Sequence, residues 1–368
     1  MNQPSKTRDS SSINSINFKS EAWKYTPSRA FEMTDFILKD YDQANDSWGM
    51  GPTEDQFQAI SFQDLISDQR ILSHKPIELP NGEKVSRASL DGALEKHTSN
   101  QEEKSILLKN SLPTSAWLNM NMMPSRLSMT IEKNLKQSFC LFESSQKEGL
   151  SQQMKVHLSE DAELDFGLHL NSEHKTYRQF NFVLEKGAKL NLFNLFNGSA
   201  KYKRLEIRVY LIGKNTSINI NGLSLSKDDS IFDYHSDIIH MNQNQETTQI
   251  YRSLNQDTGH SIFSGRIHLT ESGAGAQVEQ LNNNLLLNKK SRVDTQPELN
   301  IYQDDVKASH GATTGSLDKD HFFYIMSRGF KLAEAKKMLL EGFCIEPLNG
   351  IENPGIKTYF KNRIIEEL

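Results

Sequence analysis

Thiols are scarce in this chain. Of 368 residues only Cys140 and Cys344 are cysteine, and neither lies in a Cys-x-x-Cys or Cys–His spacing. That argues against a disulfide scaffold and suits a reducing compartment. It also argues against a zinc or iron–sulfur centre held by this chain alone, which needs clustered thiolates or histidines. An excess of one charge is missing too: 42 basic against 47 acidic residues leave a formal net charge of −5. A nucleic-acid binder would carry a basic face, and the short basic clusters at 201–204 and 289–292 read as solvated edges. Long apolar runs are absent. No stretch approaches the roughly 18 residues of a membrane-spanning helix, and the opening "MNQPSKTRDSSSINSINFKS" has no secretory core. The expectation is a soluble, cytoplasmic protein with no membrane or nucleic-acid partner.

What the chain does have is alternation. Residues 1–19 are polar and predicted to be disordered, and 20–115 read as a mostly helical region with a turn signal at Asn81-Gly82. From about 116 to 311 the texture is β. Segments such as "RLSMTIEKN", "QSFCLFES" and "QFNFVLEKGAKLNLFNLF" place apolar residues at every second position, so one row of side chains faces inward. The strands also repeat. Leu164, Leu190, Ile218, Ile250, Val278 and Val306 follow one another at steps of 26, 28, 32, 28 and 28. A propeller blade needs about 40–45 residues. A right-handed parallel β-helix fits better: each coil cannot bury its apolar row alone and shares it with its neighbours. An antiparallel sandwich is the competing arrangement.

Residues 312–368 turn helical. Asp318 is placed to cap a first helix that Gly329 ends. "LAEAKKMLLEGF" follows, with Gly342 as its expected stop. Asn353-Pro354 then opens a last helix whose Ile356, Tyr359, Phe360 and Ile364 share one face.

Tests for chemistry return little. "GATTGS" fails the phosphate-loop pattern, because Ser316 stands where the second glycine should be and no Lys-Ser/Thr follows. Ser309 and His310 are adjacent, so on a strand they point to opposite faces and cannot pair as nucleophile and base. Asp304, Asp305, Asp318 and Asp320 could serve a β-helix carbohydrate enzyme, but turns and caps account for them more simply. His310 has no soft ligand near it in sequence. A metal-binding role would need ligands from another chain.

One stretch is more specific. Residues 291–343, "SRVDTQPELNIYQDDVKASHGATTGSLDKDHFFYIMSRGFKLAEAKKMLLEGF", resemble the C-terminal signature of the SufB/SufD family of iron–sulfur cluster assembly proteins. The likeness rests on the "P-x-L-x-I" strand (Pro297, Leu299, Ile301), "DDVKASHGATTG", "FYIMSRG" and the helix ending in "GF". "EAWKYT" (21–26) and "IFSGRIHL" (262–269) add to it. "SHGA" resembles the SufD form of the motif, where the SufB form has Glu-His-Glu. The resemblance implies a β-helix scaffold without catalysis of its own. It implies pairing with a SufB-like chain through the last strands, with Leu299, Ile301, Val306, Ala308 and His310 at that interface. It implies docking of a SufC-like ATPase on the C-terminal helices, with Phe322, Phe323, Tyr324, Arg328 and Gly329 as candidates. A transient iron–sulfur cluster would form at the junction, with His310 facing the partner. Many family members read "VKCSHGA", so Ala308 here removes a thiol beside His310. Flavin in the complex and self-association of the chain when alone are left open. The other readings are a SufB-like cluster carrier and the carbohydrate enzyme.

Overall fold

The computed structural model describes residues 126–142 and 150–368, together with Tyr25 and residues 58–61, 77–78 and 84–86. The expectation for 1–19, most of the helical expectation for 20–115, and nearly all of "EAWKYT" lie outside these residues. The described pieces of the early region are short strands: β1 (Gln58–Ser61), β2 (Ile77–Glu78) and β3 (Lys84–Ser86). β2 and β3 pair antiparallel across the segment that carries Asn81-Gly82.

From residue 126 the chain winds as a parallel β-helix. Its strands are β4 (Arg126–Ile131), β5 (Lys136–Phe142), β6 (Leu150–Leu158), β7 (Glu163–Leu170), β8 (Thr176–Leu184), β9 (Lys189–Phe196) and β10 (Tyr202–Leu211). They continue as β11 (Ser217–Ser226), β12 (Ile231–His240), β13 (Glu246–Asn255), β14 (His260–Leu269), β15 (Ala276–Leu286), β16 (Arg292–Ile301) and β17 (Val306–Gly315). Odd-numbered strands form one sheet, in the order β1-β5-β7-β9-β11-β13-β15-β17. Even-numbered strands form the other, β16-β14-β12-β10-β8-β6-β4, with β3 and β2 added antiparallel. Each coil thus gives one strand to each sheet. β17 ends at Gly315, so the β-to-helix boundary read at residue 311 falls inside a strand; its extra residues, with β-branched Thr313 and Thr314, continue the ladder to β15.

The repeat is real, but part of its phase is corrected. Leu164 pairs with Leu190, and Leu190 with Ile218, as the spacing predicted. Ile218, however, pairs with Thr247, Thr247 with Val278, and Val278 with Ala308. Ile250 lies opposite Asn221 and Val306 opposite Ala276. The three-residue offset at Ile250 moves it to the other face, as any odd slip must. The reason is that the coils lengthen, and the turns record it. Asn134, Asp161, Gly187, Asn215, Asn244 and Gly275 all adopt positive φ, at steps of 27, 26, 28, 29 and 31. Each donates its N–H to a carbonyl of the following coil: Glu160, Lys186, Lys214, Gln243, Ala274 and Asp305. Asn, Asp and Gly are the residues that tolerate this conformation, so they mark the coil better than the apolar residues do.

The interior changes along the axis. Early coils are filled by Leu164, Phe166, Leu168, Phe180, Phe182, Leu190 and Leu192, with edge-to-face and stacked phenyl rings. Later coils bury polar rungs instead, including Gln249, Gln280, Asn282, Asn255 and Ser253. These bond to one another, as burial requires.

Three helices follow: α1 (Lys319–Ser327), α2 (Leu332–Ile345) and α3 (Pro354–Glu367), with a 3-10 turn over Glu346–Gly350. Asp318 caps α1 by accepting from the N–H groups of Asp320 and His321. Gly329, at φ 94°, ends it. Asn353 caps α3, accepting from the Ile356 N–H. The expected stop at Gly342 is corrected: α2 runs through it to Ile345, and Glu346-Pro347 begins the 3-10 turn. A helix-interior glycine costs only about 1 kcal/mol, and Leu340 and Cys344 on either side are buried, which holds the helix together. Residues of α2, α3 and the turn pack on the outer face of the odd sheet, against Cys140, Phe193, Leu195, Leu223, Leu225 and Leu254. Both thiols are buried there and unbridged. Burial pushes the Cys344 thiol up to about 12, which makes it unreactive.

Candidate functional site

The β-helix ends in an open coil. β16 pairs only with β14, and β17 only with β15, among the described strands. Both therefore present an edge of unpaired N–H and C=O groups, the natural template for another chain. Their exposure agrees: β16 is half-buried throughout or exposed, and β17 is largely exposed.

Pairing sets which side chains face into this coil. Ala276, Val278 and Gln280 of β15 are buried in the interior, and they pair with Val306, Ala308 and His310. On the even sheet, buried Ile267 and Leu269 pair with Leu299 and Ile301. Leu299, Val306 and Ala308 pack on the core, while Ile301 and His310 are exposed at its rim. All five residues expected at a partner interface thus lie on one inner face, at the open end. Ser309, on the opposite side of β17, is turned away from His310, as alternation requires.

Polar groups lie directly beneath. Gln280 Nε2 donates to Gln249 Oε1 at 2.8 Å, and Gln249 Nε2 donates to Tyr234 Oη at 3.1 Å and Ser236 Oγ at 2.9 Å. Thr295 Oγ donates to Asn282 Oδ1 at 2.6 Å across the two sheets. None of these residues was among those singled out from the sequence. They read as ordinary polar alternation, and only the register shows that they point inward. No group of three or more acidic, histidine or cysteine side chains suited to a metal ion occurs among the described residues. Asp304 and Asp305 sit in the turn where their N–H groups donate to Gln303 Oε1, and Asp318 serves as a helix cap.

A second surface lies on α1. This helix buries no residue. Phe323 is 76% exposed and Tyr324 59%; Phe322 is half-buried. The Arg328 guanidinium lies over the Tyr324 ring, 5.1 Å from its centroid. Met326, Phe330, Leu332 and Met338 extend the exposed apolar surface. Sequence reasoning missed these four, because apolar residues at helical spacing read as core.

The SUF system FeS cluster assembly, SufBD core domain, matches residues 118–343. That is more than half of the chain, which belongs to this family. Its likeness within the family includes proteins of the SufD type. The Escherichia coli iron–sulfur cluster assembly protein SufD is 33% identical over 158 residues, 43% of this chain and 37% of that protein. Its Bacillus subtilis namesake is 29% identical over 147 residues, 40% and 34% of the two chains. The Arabidopsis thaliana chloroplastic protein ABCI7 is 27% identical over 165 residues, 45% and 35%. The match spans about a third of the length of each of these relatives. No helix among the described residues is long and apolar enough to cross a membrane.

Proposed function

We propose that this chain is a SufD-like scaffold subunit for iron–sulfur cluster assembly, without catalysis of its own. The observation that carries this reading is the open last coil. Two parallel edge strands and an inner face of Leu299, Ile301, Val306, Ala308 and His310 end the β-helix, with no further strand beyond them among the described residues. A SufB-like partner adding strands there would satisfy the backbone edges and bury the face. His310 then lies at the junction, and the nascent cluster is cargo ligated mainly by the partner, since Ala308 supplies no thiol. The exposed aromatic surface of α1 is the docking site for a SufC-like ATPase, with Phe322, Phe323, Tyr324, Arg328 and Gly329 at its centre. The complex works in the cytoplasm.

Co-expression with the SufB-like and SufC-like proteins of the same organism, followed by sizing, tests the assembly. A stable complex of all three is expected, and His310→Ala in it should lower cluster yield on reconstitution. A chain that elutes alone, folded, beside both partners overturns the scaffold reading.

A further inference from the structure

Gln280 carries a conflict that the folded chain leaves in place. Its side chain is fully buried, and its Nε2 is bonded to Gln249, but its Oε1 has no hydrogen-bond partner. An orphaned buried acceptor of this kind ordinarily costs about 1–3 kcal/mol. Gln249 Nε2 donates to Tyr234 and Ser236, so Gln249 presents its oxygen to Gln280, and turning over Gln280 alone would set oxygen against oxygen. The opposite sheet also makes room for this amide. A Cβ on Gly265 would stand 2.5 Å from Gln280 Nε2, closer than any side chain allows. In this arrangement the amide fills the space opposite Gly265 and its acceptor is unused.

The next rung of the ladder above Gln280 is His310. Neighbouring rungs lie about 4.8 Å apart, within reach of one side-chain rotation. Of the inner-face residues of β17 (Val306, Ala308, His310, Ala312 and Thr314), His310 alone pairs with Gln280 and brings an N–H donor. We propose that Gln280 is the positioning residue for His310: its Oε1 accepts the imidazole N–H and leaves the second ring nitrogen, with its lone pair, facing the open end. A histidine so held is fixed in one neutral tautomer, the arrangement that histidine ligands generally need from their outer partners. This inference rests on the proposed role of His310 at the junction, but concerns only residues of this chain.

The test is tautomer measurement by long-range proton–nitrogen NMR on the whole chain, with nitrogen-labelled histidine and His310 assigned by its loss in His310→Gln. The wild type should show His310 predominantly in one tautomer. Gln280→Leu, which removes the acceptor at similar size, should return it to the mixture of a solvated imidazole. Circular dichroism of each variant separates loss of fold from loss of the bond. If Gln280→Leu folds and leaves the tautomer balance unchanged, the positioning role is wrong, whatever the complex does. If the tautomer follows Gln280 but His310→Ala leaves cluster yield intact, the positioning stands and the junction role of His310 fails.

Discussion

α1 and α3 are nine and fourteen residues of the same C-terminal segment, yet they solve opposite problems. α3 buries Ile356, Tyr359, Phe360 and Ile364 against the odd sheet, while α1 buries nothing and exposes Phe323 and Tyr324. A helix is stabilised mostly by the face it buries. α3 therefore completes the fold, whereas α1 leaves an apolar face that no described residue of the chain buries. The comparison teaches that aromatic content alone does not distinguish a core helix from an exposed one; what separates them is whether a sheet face lies opposite.

The sharpest way to break this contrast is at Phe360. Its ring is fully buried, 4.7 Å from that of Phe193 and 6.1 Å from that of His169. Phe360→Ala should destabilise the chain by about 3–5 kcal/mol, read as a fall in denaturant midpoint. The opposite strand carries the matching constraint. A Cβ on Gly167 would meet Phe360 Cε2 at 2.7 Å and Cys140 Sγ at 3.0 Å. Gly167→Ala should cost about 1–3 kcal/mol through overpacking. A neutral result at either site would mean that α3 is not anchored here.

Acid should loosen the same seam. His169 Nδ1 bonds Tyr359 Oη at 2.8 Å, and Nε2 bonds Asn197 Oδ1 at 3.0 Å. Asn197 Nδ2 donates to Glu367, so its oxygen faces the ring. Nε2 then carries the proton, and Nδ1 accepts from the tyrosine. Burial, partly opposed by the Asn197 bond, lowers the His169 pKa to about 3. The unfolded chain, with an ordinary value near 6.5, binds the proton first. The contribution is therefore complete above pH 6.5 and is lost as pH falls from there toward 3. At pH 5 the loss is roughly 2 kcal/mol. Denaturant titrations at pH 7 and 5 should show it, and His169→Gln should remove about that part of the difference. The buried His240, also lowered to about 3, supplies a similar drop that survives in the variant.

Much of this was legible in the sequence, and the gaps have physical causes. Alternation announced the strands, and the Asn353-Pro354 start and one-sided stripe announced α3. The open coil was legible only through a motif likeness. Periodicity says that a residue points inward but not whether another coil covers it. Ile250 was misplaced because hydrophobic residues occupy both faces of a sheet that is covered on both sides, so they do not fix phase. Gln280 was invisible for the converse reason: a polar residue in a strand reads as outward-facing unless the register is known. Gly342 misled because glycine is only a weak helix stop when both of its flanks are packed.

The smallest effect on stability is expected on α1, and it decides what that helix is for. Phe323 is 76% exposed, so its removal leaves no buried cavity. Phe323→Asp should change folding stability by less than about 0.5 kcal/mol, as surface substitutions usually do. The same change places an uncompensated carboxylate in the middle of any apolar contact surface, where burying it is costly. If α1 is the proposed docking surface, pull-down of a SufC-like ATPase by the full chain should therefore drop at least about tenfold, the 1.4 kcal/mol that a modest interface anchor contributes, while pull-down of a SufB-like protein by the β-helix end is unchanged. Retained ATPase binding in Phe323→Asp and Tyr324→Asp alike, with the fold intact, would move the docking surface away from α1. Loss of both partners together would instead mean that α1 supports the open coil, and that the contrast between the two helices is one of degree.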